Sequence, residues 1–282
     1  MSPSRVRDRE KRMNETVNTV QASTGAPENG PAILPVATSD ILEILASGLR
    51  DFRAAPLYGL SVAGIYTVGG WILILLLVRF DLPYLVYPLA AGFALIAPFI
   101  AAAFYAISRS LERGEPVSWG IVLGSIGHAF RSDLGWMALV TGFSLFIWMD
   151  IAALLFFGFL GLSSLSAQEL LRVIFTTPMG LLFLVIGNSV GALIALAVFS
   201  FSVTSFPMLF DRDVDFVTAM ITSVKVVLAN KVAMTVWCAT IAVLIGLSLL
   251  SGLVGLFVIL PILGHASWHL YRRAVAAAPD NA

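Results

Sequence analysis

The sequence predicts an all-α, polytopic membrane helical bundle of six transmembrane helices, arranged as three pseudo-repeats of amphipathic helix plus transmembrane hairpin. Three observations carry that prediction. Hydrophobic residues make up 59% of the 282 positions and charged residues 12%, with a mean hydropathy of +0.92. Soluble domains run at about 45–50% apolar and about 25% charged. The excess is gathered into runs long enough to cross a bilayer, and a short amphipathic stretch precedes each pair of runs.

The first run, 57–78, would reach about 33 Å as a helix, enough for a hydrocarbon core of about 30 Å. "RFDLP" then turns the chain and 84–108 returns. The third and fourth spans are 134–161 and 180–206. The run 232–271 would extend about 60 Å, twice one crossing, so it must fold back, and "GLSLLSGLVG" (246–255) is the place to turn. Charge favours six spans over five. With the N-terminus inside, the inner segments hold Arg50, Arg53, Arg109, Arg113, Arg131, Arg212, Lys225, Lys231, Arg272 and Arg273, and the outer loops only Arg79 and Arg172. Five spans would move Arg272 and Arg273 outside and weaken that bias.

Before the first hairpin, "SDILEILASGLRDF" aligns Ile41, Leu45, Leu49 and Phe52, and Asp40 and Glu43 have the spacing of a capping box. Before the second, "SWGIVLGSIGHAF" aligns Trp119, Val122, Leu123, Ile126 and Phe130. Before the third, "DFVTAMITSVKVVL" aligns Val217, Met220, Ile221, Val224 and Leu228, with Lys225 opposite. Such helices lie along the membrane surface or plug a bundle from the cytoplasmic side. The returning helices extend the repeat: 92–109 matches 255–272, with Pro98 and Pro261 each six residues after a glycine and eleven before an arginine. In the middle pair Phe201 stands where the proline would fall.

Residues 1–38 are polar without an apolar period, which predicts a disordered cytoplasmic tail. Its Arg5, Arg7, Arg9, Lys11 and Arg12 have no apolar stretch after them, so it is not a cleaved signal. The transmembrane domain is expected over 39–275 and a short C-terminal tail over 276–282. Cys238 is the sole cysteine, so no intrachain disulfide can form, and its apolar setting predicts an inert buried thiol.

At "SRSLERGEPVSW", "LFDRDVDFVTAM" and "LGHASWHLYR" the chain resembles a bacterial family of predicted integral membrane proteins with an unassigned domain, over roughly 40–275. Some members are labelled cytochrome c oxidase subunit I-like. The resemblance implies a six-helix inner-membrane protein and supplies no mechanism.

A haem–copper oxidase core needs six histidine ligands, and this chain has three, His128, His265 and His269. His265 and His269 lie four apart and would share one helix face. All three fall on the inner side, so a three-histidine metal site, or haem ligation with His128 as the opposite partner, is one reading. The other is that Trp268, His269, Tyr271 and Arg272 form an interfacial belt.

Asp150, in "FIWMDIAALLFF", lies well inside the third span. A central Asp costs about 2.5–3.5 kcal/mol on insertion scales, so it should face the bundle interior with a partner. His265 lies at the wrong depth for it. Asn188 lies about 12 Å from the outer end against about 16 Å for Asp150, in "GNSVG", where Gly187 and Gly191 form a GxxxG face. The expectation is an Asp150–Asn188 contact between the third and fourth spans. It would be either a polar clamp built on a protonated Asp or part of a proton or cation relay.

Pro98, Pro207 and Pro261 can kink helices, and "DRDVD" (211–215) reads as a helix N-terminal cap. The chain carries no Walker loop, G-x-S-x-G, H-E-x-x-H or cysteine pair. No catalytic residue is assigned and no cofactor is expected, with haem or a metal ion as the alternative. The expected partners are the lipid bilayer and other membrane proteins, not nucleic acid. The sequence thus predicts a multi-pass inner-membrane protein with both termini cytoplasmic, serving as a non-catalytic scaffold, assembly or envelope-maintenance component. The alternatives are a small-solute or ion permease using Asp150, and a haem- or metal-binding respiratory-type subunit.

Overall fold

A computed structural model describes residues 31–80, 86–129, 132–161 and 167–277. Most of the expected N-terminal tail, the turn residues 81–85, Phe130, Arg131 and residues 278–282 lie outside the described residues. Within them the chain is helical, as its composition requires: backbone polar groups in hydrocarbon must be satisfied inside each segment. The helices are α1 (Thr38–Ala54), α2 (Pro56–Arg79), α3 (Val86–Glu112), α4 (Trp119–Ala129), α5 (Asp133–Leu160), α6 (Ala167–Thr176), α7 (Pro178–Ser202), α8 (Ser205–Asp211), α9 (Phe216–Ala229), α10 (Lys231–Leu250) and α11 (Leu256–Ala274). Among the described residues, four stretches are long and apolar enough to cross a membrane: Pro56–Leu76, Asp133–Leu160, Pro178–Asp211 and Lys231–Leu250.

The long run 232–271 breaks where the sequence marks a turn. Gly252 (φ 66°) and Leu253 (φ 70°) take left-handed backbone, which glycine adopts freely and leucine rarely. Trp71 ties this turn to α2, donating from Nε1 to the Gly252 carbonyl at 2.8 Å and packing against Phe257. The fourth apolar run is interrupted at Val203–Thr204, between α7 and α8. Pro207 sits just beyond the break, and its ring and missing N–H account for it. Sequence reading left α6 out. Its ten residues carry Glu169 and Arg172 among apolar neighbours, and it packs on α7 so closely that a side chain at Gly180 would collide with the Val173 and Ile174 backbone.

The short helices α1, α4 and α9 stand where the amphipathic stretches predict, but they present other faces. α1 buries Ile41, Ile44 and Gly48, leaving Leu45, Leu49 and Phe52 only half-buried. α4 buries Val122, Ser125 and Ala129 and exposes Trp119 and Leu123. α9 buries Ala219, Thr222, Ser223 and Val226, whereas Val217, Ile221 and Leu228 face outward. Lipid is as apolar as leucine, so a Val/Ile/Leu stripe gains little by leaving it. Small and hydroxyl-bearing faces let backbones approach and so become the packed ones.

Helix α11 is the centre of the packing. Its most extensive partner is α1, followed by α2 and α3. At the α1 crossing, a Cβ on Gly48 would stand 2.6 Å from the Ile262 carbonyl oxygen and 2.8 Å from the Ala266 nitrogen, so the two backbones touch. Thus α1 docks on the bundle. The capping at its start also differs from expectation. Asp40 is the third helical residue, not the cap, and its Oδ2 accepts from the Ala37 N–H at 3.0 Å. Ala37 holds the cap position and has no side-chain acceptor to complete a capping box.

Both ends of the described chain meet. Ile33 and Val275 form an antiparallel bridge, and Leu34 N–H donates to the Ala274 carbonyl at 2.9 Å. Asn230 clamps this segment from the side, accepting from Val36 N–H at 2.7 Å and donating to the Leu34 carbonyl at 3.2 Å.

Candidate functional site

The residues able to do chemistry gather at the C-terminal end of α11. His265 is fully buried, and its Nδ1 lies 2.9 Å from Ser108 Oγ on α3. Ser108 in turn donates to Asp51 Oδ2 on α1 at 2.7 Å. His269, one turn after His265, donates from Nε2 to the same Asp51 oxygen at 2.7 Å. Ser108 has a single hydrogen, and giving it to the carboxylate leaves its oxygen to accept from His265 Nδ1–H. The order is therefore His265 to Ser108 to Asp51, with His269 converging from the other side. That tautomer leaves Nε2 of His265 as a buried lone pair, and among the described residues it has no hydrogen-bond partner.

Burial pushes the Asp51 carboxyl up, but the hydrogen bonds from His269 and Ser108 and the two neighbouring imidazoles outweigh it. The net result holds Asp51 below its ordinary 3.8. Ser108 is 1% exposed with its hydrogen committed to a carboxylate, so it is not placed to attack a substrate. Asp51 and His269 keep 15% and 26% side-chain exposure and are the members within reach of solvent.

A second layer surrounds this core. Glu112, at the end of α3, accepts from Trp268 Nε1 at 3.1 Å and from Arg272 Nε at 3.0 Å. Tyr271 donates to Asp211 at 2.8 Å and accepts from Arg212 Nε at 2.7 Å. Arg273 pairs with Asp40 at 2.8 Å and donates to the Pro35 carbonyl. Tyr105, Phe210, Trp268 and Tyr271 pack ring against ring beneath, and the Arg109 guanidinium lies 4.5 Å over Phe210. The expected interfacial belt is therefore corrected. Trp268 and Tyr271 are 1% and 0% exposed, turned into the protein because each polar tip finds a partner there.

The three histidines do not share one cluster. His128 is exposed on α4 and lines a cavity with Asp133, Trp136, Asp211 and Asp213. Among the described residues, no group of three or more His, Cys, Asp or Glu is set to hold a metal ion.

The expected Asp150–Asn188 contact is not made within the chain. On α5 the side facing α7 carries Trp148, Ala152 and Leu155. Asp150 is two residues from Trp148, about 200° round the helix, and is exposed. Asn188 instead donates to the Leu184 carbonyl of its own helix at 2.7 Å. Depth alone does not determine azimuth. Gly191 does allow close approach, since a Cβ there would stand 2.8 Å from the Trp148 ring. Gly187 would meet only Phe183, at 3.9 Å on its own helix. Trp148 and Gly191 separate two cavities of about 450 and 560 Å³ between α5 and α7. Cys238 is half-buried on the wall of the first.

Sequence reading missed Asp51, Ser108, Glu112 and Asp211. Each sits at a helix end, where a polar residue is ordinary. The usable signal was the count of polar residues in "HASWHLYRR", more than an interfacial anchor needs.

These apolar helices and their internally satisfied polar ends define an integral membrane protein of helical type. Residues 86–211, from α3 through α8, match the model of a family described as predicted integral membrane protein (DUF2189). No curated protein and no solved structure matches the chain.

Proposed function

We propose that the chain is a six-span protein of the bacterial inner (cytoplasmic) membrane, with both termini cytoplasmic, acting as a non-catalytic scaffold, assembly or envelope-maintenance component. One observation carries the reading: its polar side chains divide into two sets. Those around α11 are engaged chiefly with one another. Within the apolar spans, Asp150 faces outward and Asn188 is exposed in the cleft between α5 and α7, where another chain can meet them.

Support for six crossings comes from connectivity. The Ile33–Val275 bridge requires an even number. The chain enters α2 from α1, and α3 brings Ser108 and Glu112 back to α1 and α11, so α3 retraces the crossing that α2 makes. α11 retraces α10 in the same way after the turn at Gly252. These two returning helices are the shielded ones, with polar C-terminal ends. The basic residues of the inner segments support cytoplasmic termini.

The permease reading would route an ion past Asp150, and its outward position favours a protein contact instead. The haem or metal reading would bring His128 beside His265 or His269, whereas those two are engaged with Ser108 and Asp51.

Reconstitution in liposomes tests the reading. The expected proton and cation flux equals that of empty vesicles, with or without Asp150→Asn, and metal content per polypeptide stays at background. A flux abolished by Asp150→Asn, or near-stoichiometric iron, copper or zinc, would overturn it. Reporter fusions after residues 82, 165 and 252 should report the outer side, and fusions after 114, 213 and 277 the inner side.

A further inference from the structure

Asp150, on the outer side of α5, and Asn188, exposed in the cleft between α5 and α7, lie at one level of the membrane. Asp150 is ten residues before the end of α5 at Leu160, and Asn188 is ten after the start of α7 at Pro178. Each is therefore about 15 Å from the outer end of its helix. Cross-helix contacts fix the same register independently. Trp148 sits on Gly191, and Phe156 packs on Phe183 at 6.2 Å between ring centroids. This antiparallel register sets Asp150 level with position 189, within one residue of Asn188.

Their chemistry is complementary. One N–H of the Asn188 amide is used on Leu184. Its second N–H and its Oδ1 make no hydrogen bond among the described residues, and neither does the Asp150 carboxyl. A carboxyl accepts the free amide N–H and, when it carries its proton, returns a hydrogen bond to Oδ1. Asp150 lies on the side of α5 turned away from α7, whereas Asn188 lines the cleft that α7 forms with α5, so the two do not meet within one chain. Rotation about an axis normal to the membrane preserves depth, so it brings Asp150 of one copy level with Asn188 of the next.

We infer that the outer face of α5 around Asp150 is a self-association surface that pairs with the Asn188 flank of α7 in a second copy of this chain. Phe143, Ile147, Leu154 and Phe157 share the exposed face with Asp150. They supply the apolar contact that surrounds a buried polar pair. The inference does not depend on the scaffold reading, because a transporter could associate in the same way.

Disulfide trapping in native membranes tests it. In a Cys238→Ser background, one tagged chain carries Asp150→Cys and a second, differently tagged chain carries Asn188→Cys. Oxidation should give a mixed disulfide joining the two tags, absent when Asp150→Cys is replaced by Ala138→Cys on the packed side of α5. A disulfide between two Asp150→Cys chains, or capture of a different protein at that position, would overturn the pairing. Mass measurement from nanodiscs keeps the native side chains. The wild type should be oligomeric, and Asp150→Leu should weaken association by about tenfold, the scale of one interhelical polar pair, at unchanged helicity. A monomeric wild type would refute the surface outright.

Discussion

Around α11, every polar side chain from His265 to Arg273 ends on another part of the same chain: Ser108, Glu112, Asp51, Asp211, Asp40 or a local carbonyl. Along α5 and α7 the reverse holds. The most apolar stretch of each has no buried residue; Asp150 faces away from the bundle and Asn188 is exposed in the cleft between the two helices. In the first region polar groups, charges included, fasten short helix α1 and shielded helices α3 and α11 into one body. In the second, Trp148 over Gly191 and Phe156 against Phe183 hold the pair, and Asp150 is left for something outside. Polarity at membrane depth is costly wherever it is unpartnered, so these two dispositions point to internal architecture and external contact respectively.

The comparison is broken most severely at the glycines. Gly48→Val should destabilise the protein by at least about 1–3 kcal/mol, the usual scale of overpacking, because the atoms it meets belong to the α11 backbone. Gly187→Val on α7 should stay within about 0.5 kcal/mol, as for uncrowded surface sites. Thermal unfolding in detergent separates the two, and equal losses would erase the distinction between regions.

Next in size is Asp51→Asn, which should cost about 1–3 kcal/mol because partners of a hydrogen-bonded carboxylate are left unpaired. Asp150→Asn should not alter monomer stability. Asn230→Ala follows at about 1–2 kcal/mol, releasing the Val36 N–H and Leu34 carbonyl it holds, and proteolysis near residue 36 would read it.

The carboxyl of Asp51 also predicts a pH dependence. Its folded value is held below 3.8, so the unfolded chain takes up the proton first as pH falls. The stabilisation is full well above 3.8, declines as pH drops through that range, and is gone below the folded value. Acid unfolding of wild type should steepen there, and Asp51→Asn should flatten it. The smallest effect is expected for Glu112→Gln. Its pair with Arg272 is more than a third exposed on both sides, so about 0–1 kcal/mol is at stake.

Much of the helix layout was legible because length, turn chemistry and apolar runs are local properties. The turn at Gly252, the starts of α1, α4 and α9 and the cap at Asp215, which accepts from Thr218 N–H at 2.9 Å, all follow from short stretches. What faces what was not legible. In water an apolar stripe marks the buried face, but on α9 the Val217–Ile221–Leu228 stripe is outward and Ser223 is buried. There Ser223 donates to the Ser200 carbonyl at 2.8 Å. The hub was half legible. His265 and His269 stood out, but Asp51 and Ser108 lie 57 residues apart in sequence, and only the docking of α1 on α11 brings them together. Helix α6 was missed because ten residues with two charges resemble a loop between apolar runs.

Hydrogen–deuterium exchange of α1 in nanodiscs tests the central claim most directly, because α1 alone is held by the hub and by backbone contact rather than by lipid. Amides of Ile41–Asp51 should be protected to the level of α11 in the wild type and lose protection selectively in Asp51→Asn. Exchange of α1 at the rate of a loose surface helix in the wild type, or protection indifferent to Asp51, would contradict the account.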